Sequence, residues 1–136
     1  MNLDGLMVSV SGVRGRVGEA LTPEVVCQFA AAFGAFSVAR STSKLIVVGR
    51  DSRVSGPMFH RAVLAALQSV GADVVDIGMA PTPTVQMEVE RLHAAGGLAI
   101  TASHNPVEWN ALKFISSSGL FLDAQEGEAM RSVLER

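Results

Sequence analysis

The segment Thr101-Ala102-Ser103-His104-Asn105-Pro106 is the densest run of chemically capable side chains in the sequence. Ser103 directly follows a β-like run, a position that holds a hydroxyl in the open, and His104 and Asn105 stand beside it as hydrogen-bonding groups. The same residues also read as a capped turn, because Ser, Asn and Pro all favour turns. A Ser next to a His is no triad signature, since sequence neighbours rarely point at each other. The G-x-S-x-G elbow of hydrolases is absent as well, which disfavours a serine hydrolase. Lys113 alternates with the apolar Leu112 and Phe114. It is either a lysine that keeps an edge strand from pairing or a proton-transfer group beside the Ser103 loop.

Arginines supply the second chemical signal. Arg14 lies in Ser11-Gly12-Val13-Arg14-Gly15, where glycines let the backbone approach an anion and the guanidinium offers phosphate a charge-assisted fork. Neither a P-loop nor G-x-G-x-x-G is spelled there. Arg14, Arg16, Arg50 and Arg53 all sit among glycines and serines, a setting that suits one compact anion better than a nucleic-acid backbone. Arg50 and Asp51 have a structural alternative, an ion pair at the mouth of the sheet. His60, His93 and His104 are too scattered for zinc, Cys27 reads as an inert helical thiol, and Asp73, Asp76 and Asp123 form no carboxylate cluster in sequence.

These residues need a scaffold, and the hydropathy pattern describes one. Short β-like runs at 6–10, 45–49, 73–77 and 97–101 alternate with helical patterns, and 111–115 reads as an edge strand. Thr22-Pro23 opens the first helix, whose apolar face carries Val26, Phe29, Phe33 and Phe36. Pro57 opens a second that ends at Gly71, a third covers 84–93, and a polar one covers 124–135 with Ala129, Met130 and Leu134 as its apolar contacts. Segment 11–18 reads as flexible and 78–83 as a turn. The expected fold class is α/β, a three-layer α/β/α sandwich around a mixed, mostly parallel sheet. Ligands gather at the C-terminal ends of strands in such sheets, which is where loops 11–18, 50–56 and 101–108 would meet.

Composition excludes several classes. The length of 136 residues favours one domain. A charged fraction of 18% lies below the roughly 25% of an average domain, as expected of a piece that buries surface against neighbouring domains. Residues 1–61 carry a net charge of +3 and residues 62–136 carry −5, with no block of like charges, so no nucleic-acid partner is expected. One cysteine excludes an intrachain disulfide framework. No apolar run approaches the roughly 18 residues of a membrane span, and Met1-Asn2-Leu3-Asp4 has no basic n-region. No membrane partner and a cytoplasmic location are expected.

Taken together, Thr101 to Pro106 with Asn110 and Lys113 closely resemble the phosphoserine loop of the α-D-phosphohexomutase superfamily, which includes phosphoglucomutases, phosphomannomutases and phosphoglucosamine mutases. Ser11-Gly12-Val13-Arg14-Gly15, Gly49-Arg50-Asp51-Ser52-Arg53 and Pro81-Thr82-Pro83 are similar to three further blocks of that family. The resemblance covers essentially residues 1–136, but only the first of the family's four domains. It implies that Ser103 carries the transferable phosphoryl group and, through its phosphate, is one ligand of a catalytic Mg²⁺. His104 and Asn105 would touch phosphate or sugar hydroxyls, with Ser11 among the phosphate-binding positions. Lys113 would assist proton transfer, Arg14 would stabilise charge during transfer, and Arg50 and Asp51 would brace the loops. The implied reaction passes a phosphoryl group between the 1- and 6-positions of a hexose (glucosamine, glucose or mannose) through a bisphosphate, with a hexose 1,6-bisphosphate as activator. Domains II–IV are the implied partners, and no Asp-Gly-Asp-x-Asp metal loop occurs here. An isolated domain I would therefore be inactive, and a non-catalytic phosphate-binding module is the alternative. Two departures stand out. Asn110-Ala111 replaces a common Asn-Gly, so a different local turn is expected, and Val8-Ser9-Val10 replaces Phe-Gly-Thr; both lean toward the phosphoglucosamine mutase-like branch.

Overall fold

Thr22 starts the first helix as the sequence indicates. Its hydroxyl accepts from the Val25 amide at 3.3 Å, and Pro23 occupies the first turn, where a missing N–H leaves nothing unpaired. A computed structural model of the chain describes residues 3–135, so Met1 and Asn2 of the N-terminal stretch, and Arg136, lie outside the described residues. The elements run β1 (Met7–Val8), β2 (Gly12–Arg16), α1 (Pro23–Ala39), β3 (Leu45–Arg50), α2 (Gly56–Ser69), β4 (Asp73–Met79), α3 (Thr82–Arg91), β5 (Gly96–Ile100), β6 (Trp109–Ser116) and α4 (Ala124–Leu134). A capping box opens α4: Asp123 accepts from the Glu126 amide at 2.8 Å and Glu126 accepts from the Asp123 amide at 3.0 Å.

Six strands form one mixed sheet in the order β1-β2-β6-β5-β3-β4. β5, β3 and β4 pair in parallel, while β1, β2 and β6 join through antiparallel ladders. Because β2 and β5 are both antiparallel to β6, strands β2, β3, β4 and β5 all point one way. Their C-terminal ends therefore open on a single edge of the sheet.

Four local expectations need correction. Segment 11–18 is not a flexible loop, because Gly12–Arg16 is a strand with Val13 and Gly15 buried and Arg14 and Arg16 exposed. Its period-2 alternation was masked by glycines, and its partner is about a hundred residues away in sequence. The expected strand at 6–10 shrinks to Met7–Val8 at the sheet margin. Nor does 111–115 form an edge: β6 is held between β2 and β5, so Lys113 does not act as an edge-strand gatekeeper. The 78–83 turn is also shorter than expected, since β4 continues past an irregularity opposite Val48/Gly49 to Met79 and α3 begins at Thr82.

Alternation along the inner strands builds two apolar layers. Ile46 and Val48 of β3, Leu98 and Ile100 of β5, and Leu112 and Phe114 of β6 face α1, α2 and α4, where the Phe33 and Phe114 rings stack with centroids 5.0 Å apart. Val47, Ala99 and Ile115 face Val85 and Val89 of α3. Gly97 makes that second layer possible: a Cβ there would lie 2.6 Å from Val89 Cγ2, too close for any side chain. α3 packs mainly on β3 and β5, reaches β6 at Ile115, and leaves a recess beside Arg14 and Lys113 on the same face.

On the sheet's outer edge, Asp76 of β4 accepts from the Gly78 amide and meets His60 Nε2 of α2, both at 2.9 Å. Partial burial opposes its charge, but the Gly78 amide, His60 and nearby Arg50 outweigh that and hold the carboxyl below its usual range. A lowered carboxyl pKa adds stability above the unfolded value of about 4 and loses it as pH falls through the folded value.

Two outcomes follow from this packing. Gly97→Ala is expected to lower unfolding free energy by about 1–3 kcal/mol through overpacking against α3, read by urea denaturation; an unchanged midpoint would contradict the close approach. Asp76→Asn is expected to be destabilising at pH 7 and to differ less from the parent at pH 3, below the unfolded carboxyl's ordinary value, where the charge contribution is being lost. The same urea series at the two pH values checks it, and an equal deficit at both would refute the charge contribution.

Candidate active site at the strand edge

Ser103 sits just beyond β5 on the edge where the parallel strands end. It is exposed, and its backbone adopts φ +56°, a left-handed conformation that is uncommon for a residue with a side chain. The Thr101 hydroxyl accepts from its amide at 3.2 Å, and the Asn105 amide closes the turn onto the Ala102 carbonyl at 3.0 Å. His104 lies exposed next to it, and Asn105 is half-buried. The capped turn and the exposed hydroxyl are thus the same object, and neither sequence reading excludes the other.

The Arg53 side chain sits under this loop with 13% of its surface exposed. One terminal nitrogen donates to the carbonyls of Pro106 at 2.8 Å and Trp109 at 2.9 Å. The other donates to the carbonyls of Ser103 at 3.1 Å and Asn105 at 2.7 Å. Nε lies 3.3 Å from Asp51 Oδ2, while Asp51 Oδ1 accepts from the Arg53 amide at 3.0 Å. The pair expected between Arg50 and Asp51 is therefore formed differently: the Asp51 carboxylate takes Arg53, and Arg50 donates to the Asp51 backbone carbonyl at 3.1 Å. Charge alone did not distinguish the two arginines, because the targets of Arg53 are main-chain carbonyls about fifty residues away.

Asn110 is a second connection absent from the sequence reading. It is fully buried, its amide donates to Ser55 Oγ at 2.8 Å, and its carbonyl oxygen accepts from the Ala111 amide at 2.8 Å. Ser55 precedes α2 without capping it, its hydroxyl being committed to Asn110. Ala111, where a different turn was expected, lies inside β6 and has no positive φ.

Both cationic side chains reach the same face of the sheet. Gly12 of β2 is the cross-strand partner of Lys113, and Arg14 follows two residues later, so Arg14 and Lys113 share a side. That side is the part of the sheet that α3 leaves open. Ser9, Ser11, Gly12, Arg14, Lys113 and Phe121 help line a recess of about 380 Å³ there. Arg14 extends to the Ser103 loop, its guanidinium 3.5 Å from Asn105 Oδ1, at the long limit of a hydrogen bond. Ser11 is half-buried, and its carbonyl accepts from the Phe114 amide at 2.8 Å. Loops 51–55 and 101–108 are further joined by the Asp51 amide on the Ile100 carbonyl at 3.1 Å, and the Val17 amide meets the Glu108 carbonyl at 2.8 Å. The three segments expected to meet do so, one of them as a strand.

The donor set does not make a complete cation site. Among the described residues no group of three His, Cys, Asp or Glu side chains could hold a metal, and both Asp51 oxygens are engaged by Arg53. A hard six-coordinate cation such as Mg²⁺ needs more oxygen than this face offers. No helix of the described residues is long and apolar enough to cross a membrane.

The family model described as phosphoglucomutase/phosphomannomutase, alpha/beta/alpha domain I, matches residues 6–136. A phosphoglucomutase/phosphomannomutase of Thermococcus kodakarensis is 42% identical over 93% of the chain, and a phosphoglucosamine mutase of Heliobacterium modesticaldum is 40% identical over 96%. In both cases the chain spans 28% of the relative's length. The crystal structure of a phosphomannomutase of Thermus thermophilus, itself described as putative, superposes with a TM-score of 0.88 at 31% identity, over 98% of this chain and 30% of that one. The chain belongs to the phosphoglucomutase/phosphomannomutase family, and it corresponds to that family's α/β/α domain I.

Proposed function

We propose that the chain is the phosphoserine-bearing domain of a longer, four-domain phosphohexomutase that moves a phosphoryl group between the 1- and 6-positions of a hexose. The observation that carries this reading is the exposed Ser103, held at a left-handed φ on the strand edge, with Arg14 reaching its loop and Lys113 on the same sheet face.

In this reading Ser103 Oγ carries the phosphoryl group. The Oγ–P bond breaks as a hydroxyl oxygen of the sugar phosphate forms a new bond to phosphorus, giving a hexose bisphosphate and free serine. The hydroxyl's proton ends on Ser103 Oγ, relayed by Lys113. The bisphosphate then reorients and returns its other phosphoryl group to Oγ by the reverse step, and no carbon–oxygen bond breaks. Arg14 contributes a fixed positive charge where the transferring oxygens gain negative charge, and such positioned charge is the main aid a protein gives phosphoryl transfer. His104 and Asn105 contact phosphate or sugar hydroxyls from the loop, with Ser11 lining the recess behind. A hexose 1,6-bisphosphate would load the serine. Among the described residues Mg²⁺ would find one ligand, the Ser103 phosphate. The rest of the longer protein would have to supply its other ligands and the clamp on the sugar. A glucosamine, glucose or mannose phosphate is the substrate class, in a cytoplasmic enzyme.

The decisive measurement is phosphoserine mass spectrometry on the full-length protein after incubation with a hexose 1,6-bisphosphate, paired with turnover of glucose, mannose, glucosamine and N-acetylglucosamine phosphates. Phosphate is expected on Ser103, and Ser103→Ala is expected to lower turnover by at least about three orders of magnitude. The isolated 136-residue chain is expected to be inactive. Sugar phosphate binding without phosphoserine would favour a non-catalytic module, and Ser103-dependent turnover by the isolated domain would overturn the need for partner domains.

A further inference from the structure

A guanidinium has five N–H donors in a rigid plane, and all four on the terminal nitrogens of Arg53 are committed. Those on one nitrogen are used by Pro106 and Trp109 and those on the other by Ser103 and Asn105, while Nε lies 3.3 Å from Asp51 Oδ2 in an ion pair. Neither terminal nitrogen has a donor left for a phosphate, so Arg53, although among the arginines expected around a compact anion, offers it no fork. Its four carbonyl targets instead span the whole turn from Ser103 to the first residue of β6. Orienting four carbonyls toward one point fixes the peptide planes between them, including the one that follows Ser103. That constraint offsets the cost of a left-handed backbone at a serine. Asp51 orients the fork in turn, holding both the amide and Nε of Arg53.

We propose that Arg53 is a positioning residue: it sets the backbone conformation of Ser103 and hence the direction in which Oγ presents the phosphoryl group. The inference rests on the phosphohexomutase reading and adds to it a residue that touches neither substrate nor phosphate. Lysine cannot replace it, because an ammonium has three donors on a tetrahedral point and cannot serve the four carbonyls that the planar fork reaches.

The test uses the full-length protein. Arg53→Lys is expected to lower kcat by about a hundredfold, the loss associated with misplacing a reacting group by about an ångström. KM for the sugar phosphate should stay within about threefold, because the substrate-contacting residues are retained. The rate at which bisphosphate loads Ser103, measured per folded molecule, should fall together with kcat; a purely structural role would change the folded fraction and leave that rate alone. Hydrogen exchange should accelerate at the amides of residues 103–109 and remain unchanged in β3 and β5. Asp51→Asn is the milder companion should Arg53→Lys fail to fold: it keeps the Oδ1 acceptor, removes the charge at Nε, and is expected to cost about tenfold in kcat with the same exchange signature. Parental kcat in either folded variant, or unchanged exchange across 103–109, would overturn the proposal. If the parent itself never acquires phosphoserine, the phosphohexomutase reading fails, while the exchange measurement still decides whether Arg53 holds the loop.

Discussion

Four carbonyls of one loop converge on a single guanidinium, and the geometry of the site depends on that convergence. Arg53 comes from the segment after β3, and its targets lie between β5 and β6. A loop that leaves a strand, turns through a left-handed serine and re-enters the sheet antiparallel has many conformations of similar energy. A planar fork with fixed donor directions selects one of them. The pairing with Asp51 places an opposite charge beside the fork and orients it where it is largely removed from water. The Asn110–Ser55 hydrogen bond ties the same two segments a second time from below.

The sheet's topology explains why this edge holds the chemistry. Inserting β6 antiparallel between β5 and β2 leaves β2 parallel to the core strands, so Arg14 rises toward the same rim as Ser103. With α3 packed mainly on β3, β5 and Ile115 of β6, a recess stays open where β2 pairs with β6 beside Arg14 and Lys113. Lys113 and Arg14 are thereby displayed together on an uncovered surface, where neighbouring cations are unfavourable unless an anion joins them. The remaining large recess, about 870 Å³ between α1, α4 and the β1–β2 turn, is lined mostly by apolar side chains such as Val10, Phe29 and Leu134 and brings no comparable set of polar groups together.

A domain with this site is unfinished in a specific chemical sense. It offers an exposed serine hydroxyl and cationic side chains, with no group of three carboxylate, imidazole or thiol side chains that could hold a metal among the described residues. The relatives it matches are about three and a half times its length. Its low charged fraction and exposed apolar residues such as Met7, Val8 and Leu120 belong with a chain that has further surface to cover.

Local physics made much of this legible in the sequence alone. Thr22-Pro23 marked a helix start because hydroxyl capping and a proline without N–H act within one turn. The β-branched run 45–48 marked an inner strand because period and branching are properties of the segment itself. Ser103, Arg14 and Lys113 stood out by residue type and setting, and their family resemblance gave them candidate roles. Tertiary structure decided what depended on distant partners. Gly12–Arg16 became a strand because β6 supplied its hydrogen bonds, and Lys113 left the sheet's edge because β2 covered it. Arg53, rather than Arg50, took Asp51 and the loop carbonyls because only its position in space, some fifty residues away in sequence, brings five acceptors within reach of one plane. Capping and periodicity are written along the chain, whereas the direction of a hydrogen bond between remote segments exists only once the sheet has closed.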